Sequence, residues 1–175
     1  MSEKIKFFGP KDNFYELSNY YMMPFQLNNI KYNSVEQYYQ AQKFYKEDSM
    51  DYFYLMLEAD SPQKVKDLGN QKKNYRGGKW LINKNKPELG LLNETIDKFK
   101  NLKIRDDWEE VKENVMYEGL KAKFKNEYLS KLLLSTKDKI LIENSPYDKF
   151  WGIGSDGTGK NILGKMLMKL REELV

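Results

Sequence analysis

The chain of 175 residues contains no histidine and no cysteine. The first absence rules out a serine–histidine nucleophile system, the second a thiol nucleophile, and the two together the usual zinc cage. Acid–base chemistry is then left to Asp, Glu, Lys or Tyr. Disulfides are excluded, and no apolar run is long enough for a membrane span or signal peptide. The expectation is a reduced, soluble, cytoplasmic protein with no membrane partner. No acidic cluster has ligand spacing that would replace the missing His and Cys, so the sequence also predicts no metal and no cofactor.

What is present suits one domain, with residues 1–175 forming a single core and leaving no room for a second. Lysine and arginine exceed aspartate and glutamate by 30 − 26 = 4, a mild preference for anionic partners. The excess is uneven. From Lys64 to Lys86 eight basic residues (Lys64, Lys66, Lys72, Lys73, Arg76, Lys79, Lys84, Lys86) face one acid, Asp67, with Tyr75 and Trp80 interleaved. Such a strip can track phosphates, as a nucleic-acid-binding module would, or it can be a solvated surface, the commoner meaning of a charge run.

Patterning predicts a strand at Ile5–Phe8 and a hairpin of 23–27 with 30–32, turning at Asn28-Asn29. Asn33 or Ser34 caps a helix to about Tyr45, with Glu36 and Gln37 each completing one of two overlapping capping boxes. Further helices are expected over 48–59, from Ser61-Pro62 to a stop at Gly69, from Asp106-Asp107 to about Asn126, over 129–134, and from Asn161 onward. Residues 139–142 read as a strand. Residues 77–102, broken by Gly77-Gly78, Pro87 and Gly90, read as an excursion rather than core.

The densest motif is DKFWGIGSDGTGKNILG, Asp148 to Gly164. Its glycines at 152, 154, 157 and 159 allow sharp turns and close approach to a ligand, and the helix behind them offers amides to an anion. The motif formally fits a dinucleotide fingerprint, but only eighteen residues follow it, too few for the rest of a βαβ unit. It also fits most of a P-loop, yet Asn161 stands where a magnesium-binding Ser or Thr is needed. A quieter pattern lies after Asn33. Glu36, Gln40 and Lys43 fall at i, i+4 and i+7, aligning a carboxylate, an amide and an amine on one helical face. Taken alone, they read as a capping glutamate and a surface lysine in preference to a catalytic face.

Four blocks, NFYELSNYYMMPF (13–25), SVEQYYQAQKF (34–44), RDDWEEVKENVMYEGLKAKF (105–124) and DKFWGIGSDGTGKNILGKMLMKLREEL (148–174), resemble in order and spacing the NADAR superfamily of YbiA-like N-glycosidases. The resemblance implies a compact, predominantly helical α+β domain with a small antiparallel sheet. It also implies hydrolysis of N-glycosidic bonds to ribose, on ADP-ribosylated guanine, including ADP-ribosylated DNA, or on phosphorylated ribosylaminopyrimidine intermediates of riboflavin synthesis. It maps the family's glutamate onto Glu36, its lysine onto Lys43, its arginine and tryptophan onto Arg105 and Trp108, and its closing block onto Asp148, Trp151 and Asn161. Three departures stand out: Val35 and Gln37 flank Glu36 where the family has glutamate directly after Ser/Thr and then histidine, Asn70 replaces an arginine, and about 77–101 reads as a basic insertion.

In the chemistry so implied, a carboxylate stabilises an oxocarbenium-like state and activates water. Glu36 is the candidate. Asp148 is either the base or a ribose-orienting group. Lys43 protonates the leaving nitrogen, holds a phosphate, or attacks the anomeric carbon. Trp151 and Phe8 are candidates for stacking on the base, and Trp108 for the core. Arg105 and Lys160 suit phosphate, Asn161 suits ribose or base, and Asn19, Gln40, Gly152 and Gly154 complete the expected substrate contacts. The rival from another class is a non-catalytic reader of ADP-ribose or nucleotides using the same pocket.

Overall fold

The computed structural model describes residues 3–82, 89–91 and 93–175. Lys84, Lys86 and Pro87, assigned above to the basic excursion, lie outside them. Backbone contacts divide the chain into two units, Pro24–Gly119 and the segment up to Met23 together with Leu120–Val175. Helices predominate, and the sheets are two-stranded. Among the described residues no helix is long and apolar enough to cross a membrane.

The Pro24–Gly119 unit opens with the expected hairpin. Strands β2 (Phe25–Leu27) and β3 (Ile30–Tyr32) pair antiparallel, and Asn28 and Asn29 take positive φ at 51° and 62°, which asparagine tolerates. Helix α1 (Val35–Gln42) follows, capped by Ser34, whose Oγ accepts from the Gln37 N–H at 3.1 Å. Of the two capping boxes the Ser34–Gln37 register forms, and the Gln37 Oε1 accepts from the Asn33 N–H at 2.7 Å. The Gln37 Nε2 also donates to the carbonyls of Met56, Leu57 and Ala59, holding the end of α2 (Met50–Leu57). Helix α1 stops at Gln42 rather than Tyr45, because the N–H groups of Lys43, Phe44 and Tyr45 bond three residues back and tighten the last turn.

Helix α3 (Pro62–Gly69) packs on α1, and α4 (Gln71–Asn74) leads into β4 (Tyr75–Arg76) and β5 (Lys79–Trp80), an antiparallel pair. The excursion read as lying outside the core proves otherwise. Trp80, Ile82, Leu89, Ile96 in α5 (Asn93–Lys98), Phe99 and Leu102 are all buried. The Trp80 ring meets Phe44 edge to face at 5.2 Å, and its indole N–H donates to the Tyr52 hydroxyl at 3.3 Å. Sequence patterning misses this because the buried residues are scattered singly among glycines and lysines, with no repeating period. Trp80 is therefore a core residue and not an exposed stacking platform, whereas Lys66, Lys72, Lys73, Tyr75, Arg76 and Lys79 are exposed.

Helix α6 (Trp108–Lys123) is the longest, and its Gly119 lies against Tyr38: a Cβ there would meet that ring at 2.7 Å. In the other unit β1 (Lys4–Phe7) pairs with β6 (Ile140–Glu143) in parallel, so among the described residues one of three strand pairs departs from the antiparallel expectation. Helices α7 (Glu127–Ser135) and α8 (Ile162–Glu173) pack together, and α8 also packs on β6, with Leu163, Leu167 and Leu170 buried. A Cβ on Gly164 would lie 2.2 Å from the Leu141 carbonyl oxygen, so this close approach requires glycine.

Candidate functional site

Helix α1 buries three polar side chains on one face: Glu36 is 7% exposed, Gln40 7% and Lys43 8%. They form a chain. The Gln40 Nε2 donates to Glu36 Oε1 at 2.9 Å, and the Lys43 Nζ donates to Gln40 Oε1 at 2.5 Å and to the Gly69 carbonyl at 2.9 Å. The capping reading of Glu36 gives way, because Gln37 supplies the box and Glu36 faces Gln40 instead. The surface reading of Lys43 fails as well. Its Nζ stands 5.5 Å from the Tyr39 ring centre and 5.7 Å from that of Trp108, which is buried as expected. Burial pulls the Lys43 pKa down to about 8, against the opposing pull of Glu36 and Glu109.

Beside this chain lies a cleft of about 290 Å³ whose lining includes Gln71, Tyr75, Lys103, Arg105, Trp108 and Glu109. Trp108 thus both lines the cleft and approaches Lys43. The Arg105 backbone N–H donates to the Lys43 carbonyl at 2.9 Å. Its guanidinium is gripped by Asp107 through Nε at 2.5 Å and Nη2 at 2.8 Å, a pairing that raises the arginine pKa and lowers that of the carboxyl. Gly69 is the member that sequence reasoning missed, having been read only as a helix stop. No local signal separates a stopping glycine from one whose carbonyl receives an ammonium twenty-six residues away.

The glycine-rich loop does not keep its amides for an anion. The N–H groups of Gly159, Lys160, Asn161, Ile162 and Leu163 donate to the carbonyls of Ile153, Lys149, Gly152, Phe150 and Trp151, at 2.7 to 3.1 Å. The start of α8 is closed by its own loop. Asn161, expected to meet ribose or base, takes positive φ and uses both ends of its amide: Oδ1 accepts from the Glu143 N–H at 2.9 Å and Nδ2 donates to the Leu141 carbonyl at 2.8 Å. Asp148 Oδ1 accepts from the N–H groups of Phe150 and Trp151 at 2.7 and 2.8 Å.

Gly152 serves packing, since a Cβ would meet the Glu143 carbonyl oxygen at 2.8 Å, and buried Gly154, at φ 68°, is covered by the Lys149 side chain. Trp151 is half-buried and edge-on to Phe150, while Lys160 is exposed with its Nζ 5.3 Å from the Phe150 ring centre. Phe8, half-exposed, has Tyr147 as a ring neighbour at 6.4 Å, and Asn19 is buried. In the same unit Lys123 is buried, and its Nζ donates to the carbonyls of Glu16 and Ser18 at 2.6 and 2.8 Å. Burial lowers its pKa to about 7. Among the described residues no three acidic side chains are grouped to hold a metal ion.

The NADAR domain model matches residues 6–175. The chain belongs to the NADAR domain family. It is 33% identical over 171 residues to the N-glycosidase YbiA of Shigella boydii, covering 97% of this chain and 88% of that one. It is also 36% identical over 143 residues to the chloroplastic riboflavin biosynthesis protein PYRR of Zea mays; the match takes in 81% of this chain and only 20% of PYRR. The solution NMR structure of Escherichia coli YbiA superposes with a TM-score of 0.72 at 32% identity, over 99% of this chain and 86% of that one.

Proposed function

We propose that this NADAR-family chain is an N-glycosyl hydrolase that cleaves the bond between ribose and a planar, nucleobase-like amine, with Glu36 and Lys43 carrying the chemistry. The observation that carries this reading is the buried Glu36–Gln40–Lys43 chain: a carboxylate and an amine on one helix face, next to a cleft, in a protein with no histidine to do acid–base work. In the reaction a water oxygen bonds to the anomeric carbon as the C–N bond breaks. Glu36 takes the proton from water and offsets the positive charge on the sugar, and Lys43 gives a proton to the departing nitrogen. Two of the ammonium protons point to carbonyl oxygens, leaving the third for this transfer. A pKa near 8 makes Lys43 a competent acid around neutral pH. It also leaves a free-amine fraction, and borohydride added during turnover would trap any bond between that amine and the opened sugar.

The substrate is a ribosylated amine bearing a phosphate, in the first instance a phosphorylated ribosylaminopyrimidine of the kind handled in riboflavin synthesis. Arg105 and Lys103 suit the phosphate and Tyr75 the flat ring, all three lining the cleft. A second substrate, ADP-ribose on guanine, is favoured by the exposed Lys72, Lys73, Arg76 and Lys79, which offer contacts to phosphates beyond one ribose. Lacking cysteine, the chain is suited to the reducing cytoplasm. The deciding experiment incubates the protein separately with a ribosylaminopyrimidine phosphate and with guanine-linked ADP-ribosyl DNA. Release of free base supports the enzyme, and binding with both ligands left intact would make the chain a reader. Neutralising the four exposed cations together should weaken processing of the DNA substrate and spare the small one.

A further inference from the structure

Gln40 stands between the two groups assigned to the chemistry, and both ends of its amide are engaged. Its orientation is forced. The Lys43 ammonium can only donate, so the amide oxygen must face it, and the Glu36 carboxylate accepts, so the NH2 must face that side. Gly69 holds the amide in place from α3. A Cβ at residue 69 would lie 2.3 Å from Gln40 Oε1 and 3.0 Å from Gln40 Cβ and Cδ. The φ of Gly69 is not positive, so packing against Gln40, and not backbone conformation, is what requires glycine there.

We propose that Gln40, seated against Gly69, is the positioning residue of this site: it links Glu36 to Lys43 through a neutral amide in place of a direct ion pair, and it is not the substrate contact its place in the sequence suggests. A carboxylate in contact with Lys43 would favour the charged amine strongly and hold its proton. The amide supplies an acceptor without a charge. The groups that face Lys43 from the elements around it are Glu36 on α1, Glu109 on α6 and Lys66 on α3, together with the Tyr39 and Trp108 rings and the Gly69 carbonyl. Two carboxylates favour the ammonium, and burial, with Lys66 acting in the same direction, outweighs them. The amine can then surrender its proton near neutral pH, which a general acid has to do.

The proposal rests on the N-glycosidase reading only for its effect on turnover, so the test has an arm that needs no substrate. Carbon-13 labelling of the lysine side chains, with the Lys43 signal assigned by its loss in Lys43→Arg, follows the titration of that amine by NMR. Gln40→Glu should move it up by about one pH unit or more, because a carboxylate replaces the amide oxygen. Gln40→Met keeps the length, removes the acceptor, and should move it down. In turnover, Gln40→Met and Gly69→Ala should each lower kcat roughly tenfold or more with KM within about twofold, and Gln40→Glu should shift the pH profile in step with the NMR titration. Circular dichroism checks that each variant folds, and if Gly69→Ala does not, the two Gln40 variants carry the test. The proposal is overturned if both leave the Lys43 titration in place or move it the same way, or if Gln40→Met raises KM while kcat holds. Opposite shifts in the two Gln40 variants, together with a wild-type chain that cleaves neither substrate, would sink the N-glycosidase reading and leave the positioning role supported.

Discussion

The glycine-rich loop and the polar face of α1 reverse the order of prominence their sequences suggest. The loop, rich in glycine and next to a helix start, satisfies its backbone internally: five consecutive amides from Gly159 to Leu163 donate to loop carbonyls, and Asn161 ties the start of α8 to β6. The α1 face, three residues hidden in an ordinary helix, buries a carboxylate and an amine connected by one amide. An anion site needs donors that remain open, and a catalytic pair needs polar side chains held out of water by packing. Neither condition is visible in the motif itself.

The largest expected effect falls on the α1 face. Glu36→Gln should keep the fold and ligand binding and lower turnover by roughly two to four orders of magnitude, as loss of a general acid–base group does. Near-normal turnover in steady-state kinetics would return Glu36 to a structural role and erase the contrast with the loop.

Next comes the stability of the loop. Gly159→Ala would place a Cβ 2.3 Å from the Gly152 carbonyl oxygen, backbone that cannot swing away, and should cost about 3 kcal/mol. Asn161→Ala removes both tethers to β6 and should cost about 2 kcal/mol. Gly157→Ala, at φ 73° with open space around it, should cost only about 1 kcal/mol. Denaturant midpoints measure all three. An Asn161→Ala protein of wild-type stability and no activity would make the loop a ligand site after all.

A smaller effect separates the two buried lysines. Lys123 titrates at about 7 in the folded chain and Lys43 at about 8, against an ordinary 10.5. The unfolded chain therefore binds more protons over those windows, and stability rises with pH from about 7 toward 10. Above 10 it falls again, because burial raises the pKa of Tyr32, Tyr38 and Tyr52 in the folded state and the unfolded chain ionises first. Lys123→Met should flatten the rising limb most between pH 7 and 8 and leave the kcat–pH profile unmoved. Movement of that profile would give Lys123 a part in the chemistry. The smallest expected effect is none: activity should persist with a chelator present, and loss restored by a divalent cation would refute the carboxylate-and-lysine scheme.

Elements with a local cause were legible from the chain alone. The Asn28-Asn29 turn, the Ser61-Pro62 start and the α8 stripe follow from backbone tolerance, capping and period, which neighbouring residues dictate. The absence of His and Cys restricted the chemistry to carboxylate, lysine or tyrosine, and spacing put Glu36, Gln40 and Lys43 on one face. Tertiary structure alone decided the burial of that face, the engagement of Lys43 by Gly69, the core position of Trp80 and the parallel pairing of β1 with β6. Each joins residues far apart in the chain, and a lysine's solvent and partners, which set whether it is a surface charge or an acid poised near pH 8, exist only once those residues have met.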